Sequence, residues 1–244
     1  ASDVEVVEEF PNRYNVAAKR QHRWVRGDWQ LLPWIVGRGW AMPLLGRLRM
    51  LDNLRRSLLA PTTLMAVVFC CLVPMPAAIV GLLLVLATVA IPAFLPSVFL
   101  VLPRRAGLRV RNHLGVLAES LSLAAAQTSL TVAFLPDQAQ RAADAIVRTL
   151  LRLFVTRRHL LEWTTAAKST AAARLGMGGF YRGMAGGVVL GLALAALTLA
   201  AVPASWPRVL PFVLLWACAP ALAFRISRAP PIARRLSISP ADAI

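Results

Sequence analysis

Residues 20–30 of the chain bring cations, indole rings and a carboxylate into one short polar run. If this run is helical, Arg20, Arg23 and Trp24 share one face, because offsets of three and four stack on an α-helix. Guanidinium groups bind phosphate oxygens, and an indole ring stacks against a sugar. Asp28 follows Trp24 by four residues and can accept sugar hydroxyls or orient its neighbours. The run predicts a nucleotide-sugar site; a basic-aromatic belt at a bilayer surface is the alternative interpretation.

The composition indicates an integral membrane protein. Of 244 residues, 58% are hydrophobic, and the mean hydropathy is +0.62. The net charge of +16 could suggest a nucleic-acid partner, but the basic residues flank apolar stretches, and no known nucleic-acid-binding module is present. Basic cytoplasmic flanks of membrane helices explain the charge better, so we expect the lipid bilayer as a partner and no nucleic acid.

Nothing in the sequence predicts a metal site made by this chain alone. The three cysteines lie in apolar stretches without metal-ligand spacing, and the three histidines are far apart: Cys70, Cys71, Cys218, His22, His113 and His159. We interpret the cysteines as small residues that face lipid or the protein core.

The first residues have the pattern of a folded domain's interior rather than of a signal peptide. Residues 3–9 predict a strand, and residues 10–12 a turn. Glu8 and Glu9 point to opposite sides of such a strand and make a poor acid–base pair, so solvated charges are expected there. The chain is therefore expected to be a fragment of a longer protein.

A helix is predicted from residue 14 to residue 32, where Pro33 stops it. Residues 35–57 then predict an amphipathic helix in the membrane interface, with Trp34 and Trp40 at the headgroup level. This helix either holds the Arg-Trp face at the membrane surface or is simply an anchor, and the sequence leaves both open.

Four membrane spans are predicted. Residues 58–102 are uncharged and long enough for two spans, 58–73 and 77–102, with a turn at 74–76 and a kink at the later prolines. Residues 184–202 and 210–224 predict two more. An even number of crossings places both termini in the cytoplasm, and the basic flanks agree.

Between the two pairs of spans, residues 103–183 predict a basic helical region on the cytoplasmic side. Within it, residues 115–135 are mostly apolar but carry a stripe of polar residues. This pattern favours a helix that lies in the membrane interface over one that crosses the membrane. Residues 137–161 predict an amphipathic helix. The glycines near residues 176–187 lack the spacing of a phosphate-binding loop and favour close helix packing instead.

His159, Glu162 and Trp163 repeat the one-face arrangement of the opening run. A capped, buried helix end with a His–Glu contact is the favoured interpretation. A second contact to a catalytic domain, or a gate on a sugar path, is the alternative. Residues 225–244, rich in Arg and Pro, predict a cytoplasmic linker.

Three stretches carry a resemblance to a known family. The string RQHRW at residues 20–24 resembles the Q/R-x-x-R-W signature of membrane-bound processive GT-A glycosyltransferases, with Arg20 where cellulose synthases carry Gln. The longer run RQHRWVRGDWQLLPWI is similar to the cyclic β-1,2-glucan synthases. The stretches MLDNLRRSL at 50–58 and RRHLLEWTTAA at 157–167 follow in the order expected of that family.

This resemblance implies part of an inner-membrane enzyme that makes a β-1,2-linked glucan from UDP-glucose. Arg20 and Arg23 would bind the donor's diphosphate, Trp24 would form the floor under the acceptor glucose, and Asp28 would support that floor. Residues 1–34 would be the end of a cytoplasmic α/β GT-A catalytic domain.

Several parts of such an enzyme would lie outside this chain. They are the catalytic base, the Asp-x-Asp ligands of a Mg²⁺ or Mn²⁺ ion, and a C-terminal phosphorylase-like domain. The fragment alone is expected to be inactive. A small multi-span transporter component or a membrane-anchored scaffold is the alternative function; the spans' lack of charge speaks against a transporter.

Overall fold

A computed structural model describes residues 13–37, 43–100, 110–158 and 176–228, and these residues form helices and no strand. The mainly helical class predicted from the sequence is confirmed for them. Several predictions concern residues outside these ranges: the strand at 3–9 with Glu8 and Glu9, Trp40, the group of His159, Glu162 and Trp163, and the tail after residue 228.

The first helix, α1, spans Tyr14–Gln30 and contains the whole Arg-Trp run. The backbone turns at Leu31 and continues in the short helix α2, Leu32–Val36. Pro33 is the second residue of α2, where the missing N–H leaves no helix bond unmade. The predicted helix end near residue 32 is therefore close to the observed end at Gln30, although Pro33 lies in the first turn of a new helix rather than terminating the old one.

The predicted boundary between an interfacial helix and the first span lies inside one continuous helix. Helix α3 spans Leu44–Leu72, and its 29 residues are about 43 Å long at 1.5 Å per residue. Helix α4, Met75–Leu100, follows after a break at residues 73–74, next to the predicted turn, and continues through Pro92 and Pro96.

The remaining helices are α5, Val110–Ala133; α6, Leu135–Leu150, which continues as a π-helical turn, Leu151–Thr156; α7, Met177–Ala201; and α8, Trp206–Ile226, preceded by a 3₁₀ turn, Pro203–Ser205. Five of the described helices are long and apolar enough to cross a membrane: α3, α4, α5, α7 and α8. By length and composition, one more helix qualifies than the four predicted spans: α5, which the sequence placed in the interface.

Helix α5 ends at the middle of the helical bundle rather than at its far side. The indole N–H of Trp216, halfway along α8, donates to the carbonyl of Val132 at 3.1 Å. Leu135 and Ala139 at the start of α6 share a buried cluster with Leu64 and Trp216. The α5–α6 turn therefore packs against the central parts of its neighbours.

Helix α6 returns antiparallel to α7, toward the end of the bundle where α1 lies. Pro136 lies near Gly191, Asp137 lies near Gly187, and the Arg141 guanidinium donates to the carbonyl of Gly183 at 2.6 Å. Later residues of α6 therefore contact earlier residues of α7, so the two helices are antiparallel.

Helix α5 begins at this same end. Ser120 of α5 is hydrogen-bonded to Ser97 of α4 at 2.8 Å, close to the α4 C-terminus. The opposite end of the bundle is closed by Arg208, which donates to the carbonyls of Cys71 and Val73. Helices α5 and α6 therefore form a hairpin that enters and leaves on one side. Helices α3, α4, α7 and α8 extend between the two ends.

Gly187 allows the closest contact in this hairpin packing. A Cβ atom at position 187 would lie 2.4 Å from the Cα of Asp137, so a side chain there requires α6 and α7 to separate. We expect Gly187→Ala to lower the unfolding free energy by about 1–3 kcal/mol, the usual cost of overpacking a core. Thermal unfolding in detergent measures the change.

The matched control is Gly183→Ala on the same helix, where an added Cβ has no atom within 4 Å. Its stability should equal or slightly exceed that of the wild type, because alanine favours helix more than glycine does. Equal stability of the two variants would contradict the close packing at Gly187.

Candidate functional site

Helix α1 is fixed to the bundle by a buried carboxylate. The Tyr14 hydroxyl donates to Oδ2 of Asp137 at 2.8 Å, and Asp137 is only 3% exposed. Burial, and then the adjacent Asp137 charge, raise the pKa of Tyr14 far above its ordinary value, so the phenol keeps its proton and remains a donor. The backbone N–H of Tyr14 also donates to Oγ of Ser227, just after α8, at 2.9 Å.

Asp137 links three helices through one oxygen atom. Its Oδ2 also accepts from Nε of Arg141 at 2.7 Å, and the same guanidinium reaches the Gly183 carbonyl of α7. A buried charge is tolerated only when it is paired and hydrogen-bonded, so Tyr14 and Arg141 are required together. Helices α1, α6 and α7 consequently hold one fixed arrangement.

Two further contacts hold the middle and the end of α1. Nε2 of His22 lies 2.9 Å from Oδ2 of Asp144, whose Oδ1 accepts from Nε of Arg148 at 2.6 Å. Burial acts to raise the pKa of Asp144, but the hydrogen bonds from Arg148 and His22 outweigh it and hold the pKa below its ordinary value. At the other end of α1, the Trp29 indole N–H donates to Oγ of Ser57 at 2.8 Å.

The docked helix presents the predicted residues to one open cleft of about 880 Å³ between α1 and α3. Arg20, Arg23, Trp24 and Asp28 all line it. The Arg20 guanidinium carbon lies 4.4 Å from the centroid of the Trp24 ring, a cation–π contact that shows these two side chains share a face. The Trp24 side chain is 55% exposed, so a ring surface is accessible from the cleft.

Asp28 lies at the edge of the cleft, where its Oδ1 accepts a hydrogen bond from the Asn53 amide at 3.3 Å. Burial raises the pKa of Asp28 above its ordinary value, and the bond from Asn53 acts in the opposite direction. Asn53 belongs to MLDNLRRSL, the second stretch of the sequence resemblance. The structure thus brings the first and second stretches together at one cleft.

A second cavity, of about 650 Å³, lies beneath α1 and between α3, α4, α5 and α6. Amide and hydroxyl side chains of α5 and α6 line it: Gln127, Thr128, Thr131 and Gln138. Gln21, Arg56 and Ser57 line both this cavity and the cleft, so the two spaces adjoin. Grouped amides and hydroxyls beside apolar walls are suited to a carbohydrate, which offers hydroxyls and C–H faces.

Sequence reasoning missed Tyr14 and Asp137, and it treated the polar residues of α5 as an interfacial stripe. The available signal was that Asp137 directly follows the apolar run 132–136, since a carboxylate packed with such a run is costly without partners. In the described ranges no three His, Cys, Asp or Glu side chains group as metal ligands.

Comparison with known proteins agrees with the sequence resemblance. Over 242 residues, 98% of its length, the chain is 40% identical to the cyclic beta-(1,2)-glucan synthase NdvB of Rhizobium meliloti (strain 1021). The chain spans 8% of that protein. No family model matches the chain. The chain is thus related to a segment of a glucan synthase, and the predicted resemblance is confirmed at that level; the role of the R-x-x-R-W residues stays a prediction.

The contact between His22 and Asp144 makes the docking of α1 sensitive to acid. A carboxyl pKa lowered by folding stabilises the protein above the ordinary value of about 4, and this stabilisation is lost as the pH falls through the folded pKa. We expect Asp144→Asn to lower stability at pH 7 by about 1 kcal/mol, since the pair is partly exposed.

The difference in stability between the wild type and Asp144→Asn should become smaller below pH 4. Thermal unfolding in detergent from pH 3 to pH 8 measures it. Asp52→Asn is the matched control: Asp52 pairs with Arg55 and Arg56 of its own helix, and these hydrogen bonds also lower its pKa, so this variant shows the pH trend of an ion pair within one helix. A difference at Asp144 that stays constant over this pH range would contradict the assignment.

Proposed function

We propose that this chain is the membrane-embedded segment of a processive glucosyltransferase that makes a β-1,2-linked glucan from UDP-glucose at the cytoplasmic face of the bacterial inner membrane. One observation carries the proposal: Arg20, Arg23, Trp24 and Asp28 surround a single open cleft in a chain related to a glucan synthase. UDP-glucose presents a diphosphate and a sugar, and the cleft offers cations beside an indole ring.

In this proposal Arg20 and Arg23 bind the diphosphate of the donor. Their positive charge stabilises the negative charge that develops on the departing UDP, and such electrostatic stabilisation is often the largest part of catalysis. The stacking of Arg20 on Trp24 fixes the guanidinium before the donor arrives, so less conformational freedom is lost on binding.

Trp24 provides a flat surface for the acceptor glucose at the end of the glucan. Asp28 stays at the edge of the cleft through its bond with Asn53 and accepts hydroxyl groups of the acceptor. The adjoining cavity beneath α1 receives the product, because its amides and hydroxyls replace the water that hydrates a glucan. Gln21 and Ser57 stand where the two spaces meet.

The catalytic base and the Asp-x-Asp ligands of a Mg²⁺ or Mn²⁺ ion are supplied by other parts of the whole protein. A divalent cation would neutralise charge on the diphosphate. The residues of this chain would bind, orient and stabilise the reactants.

The helix arrangement is consistent with a cleft on the cytoplasmic side. Helices α3, α4, α7 and α8 extend between the two ends of the bundle, and α5 and α6 form a hairpin that enters and leaves on one side. With four crossings, α1 and the start of α5 lie on the same side of the membrane, and the basic residues of α1 favour the cytoplasm for that side. The cleft then opens to the cytoplasm, the compartment that contains UDP-glucose.

The test is a substitution of Trp24 in the whole protein. We expect Trp24→Ala to reduce incorporation of labelled glucose from UDP-glucose at least about 100-fold, by analogy with the loss of one preorganised catalytic contact. Trp24→Phe should retain part of the activity, because a flat ring remains. The amount of membrane-inserted protein is measured in parallel and should not change.

Trp206→Ala is the matched control, since Trp206 is 60% exposed but lies at the opposite end of the bundle from α1. Its rate should equal that of the wild type. Glucose incorporation by Trp24→Ala at the wild-type rate would refute the assignment of the acceptor surface.

A further inference from the structure

A second concave surface lies on the other edge of α1, between α1, α6 and α7. We call it the basic depression; its volume is about 530 Å³. Six of its eleven lining residues are cations and one is a carboxylate: Lys19, Arg20, Arg23, Arg26, Arg141 and Arg148 against Asp144. Arg148 is paired with Asp144 and Arg141 with Asp137, but the lining residues still carry a net formal charge of +5, which makes the depression electropositive.

The floor of the depression is the backbone of a membrane-spanning helix. Gly183 and Gly186 of α7 line it, and an added Cβ at Gly183 would have no atom within 4 Å. At Gly186 an added Cβ would lie 3.2 Å from the Gln140 side chain, so the room for a bulky anionic group is beside Gly183.

An exposed apolar stripe continues from this floor along α7. Val189, Ala193 and Leu197 follow Gly186 at offsets of three and four, so they lie on one face of the helix. Val189 is 64% exposed and Leu197 is 65% exposed. In a bilayer this face meets acyl chains, directly beneath the cations.

We infer that the basic depression binds the phosphate headgroup of an anionic phospholipid whose acyl chains lie along the exposed stripe of α7. A soluble anion would use the cations alone, whereas a phospholipid matches both the charge above and the apolar stripe below. Basic pockets between membrane helices on the cytoplasmic side are known to hold such headgroups. The site is distinct from the nucleotide-sugar cleft, although Arg20 and Arg23 border both.

The experiment titrates dioleoyl phosphatidylglycerol into the full-length protein in dodecyl maltoside and follows the thermal-unfolding midpoint. We expect a saturable rise. Dioleoyl phosphatidylcholine and inorganic pyrophosphate, tested separately, should produce little change. An equal rise with phosphatidylcholine would overturn the proposal in favour of unspecific apolar contact. An equal rise with pyrophosphate would overturn it in favour of a small-anion site.

The charge test uses the double variant Lys19→Gln/Arg148→Gln. It should need about thirty-fold more phosphatidylglycerol for half of the rise, because each basic residue near an anionic lipid contributes a factor of roughly five. Arg55→Gln/Arg111→Gln removes two exposed cations elsewhere and should match the wild type. Equal titrations for both double variants would overturn the proposal.

Gly183→Leu tests the position of the headgroup without changing the charge. The new side chain projects into open space at the edge of the depression, so the fold should be unaffected while the headgroup is displaced. We expect this variant to lose the rise with phosphatidylglycerol while keeping the wild-type midpoint in phosphatidylcholine. A wild-type titration would show that the lipid binds elsewhere.

Discussion

The arrangement of this segment depends on one buried carboxylate. Asp137 lies at the first turn of α6, deep in the bundle, and its Oδ2 accepts from Tyr14 of α1 and from Arg141, which in turn reaches α7. Because a buried charge without partners is costly, the three helices can separate only at a large loss of stability. The position of α1, and of every residue it carries, follows from this constraint.

From this fixed position the two edges of α1 face different surroundings. One edge presents Arg20 and Trp24 to the cleft beside α3, and the other presents Lys19 and Arg26 to the basic depression beside α7. Adjacent residues of a helix, such as Lys19 and Arg20, point in different directions, and Arg20 and Arg23 lie where the two surfaces meet. A sugar nucleotide and a membrane headgroup, both proposed here as ligands, can therefore bind to the same helix on different sides.

The sequence predicted what depends on local periodicity. The helix predicted over residues 14–32, observed as Tyr14–Gln30, and the common face of Arg20 and Trp24 follow from a 3.6-residue repeat and needed no tertiary information. The α5–α6 hairpin could not be predicted in this way, because an apolar helix of 24 residues looks the same whether it crosses the bundle or ends at its middle. Its end is determined by contacts with Trp216 and Gly187, which are distant in sequence.

In the proposed mechanism, α1 binds the diphosphate of a sugar nucleotide at the cleft while Asp137 holds the helix in place. A structure of the whole protein with UDP bound measures this most directly. We expect diphosphate oxygens within hydrogen-bond distance of the Arg20 or Arg23 guanidinium, with Trp24 bordering the bound ligand. A UDP molecule bound elsewhere, with Trp24 turned toward lipid, would contradict it.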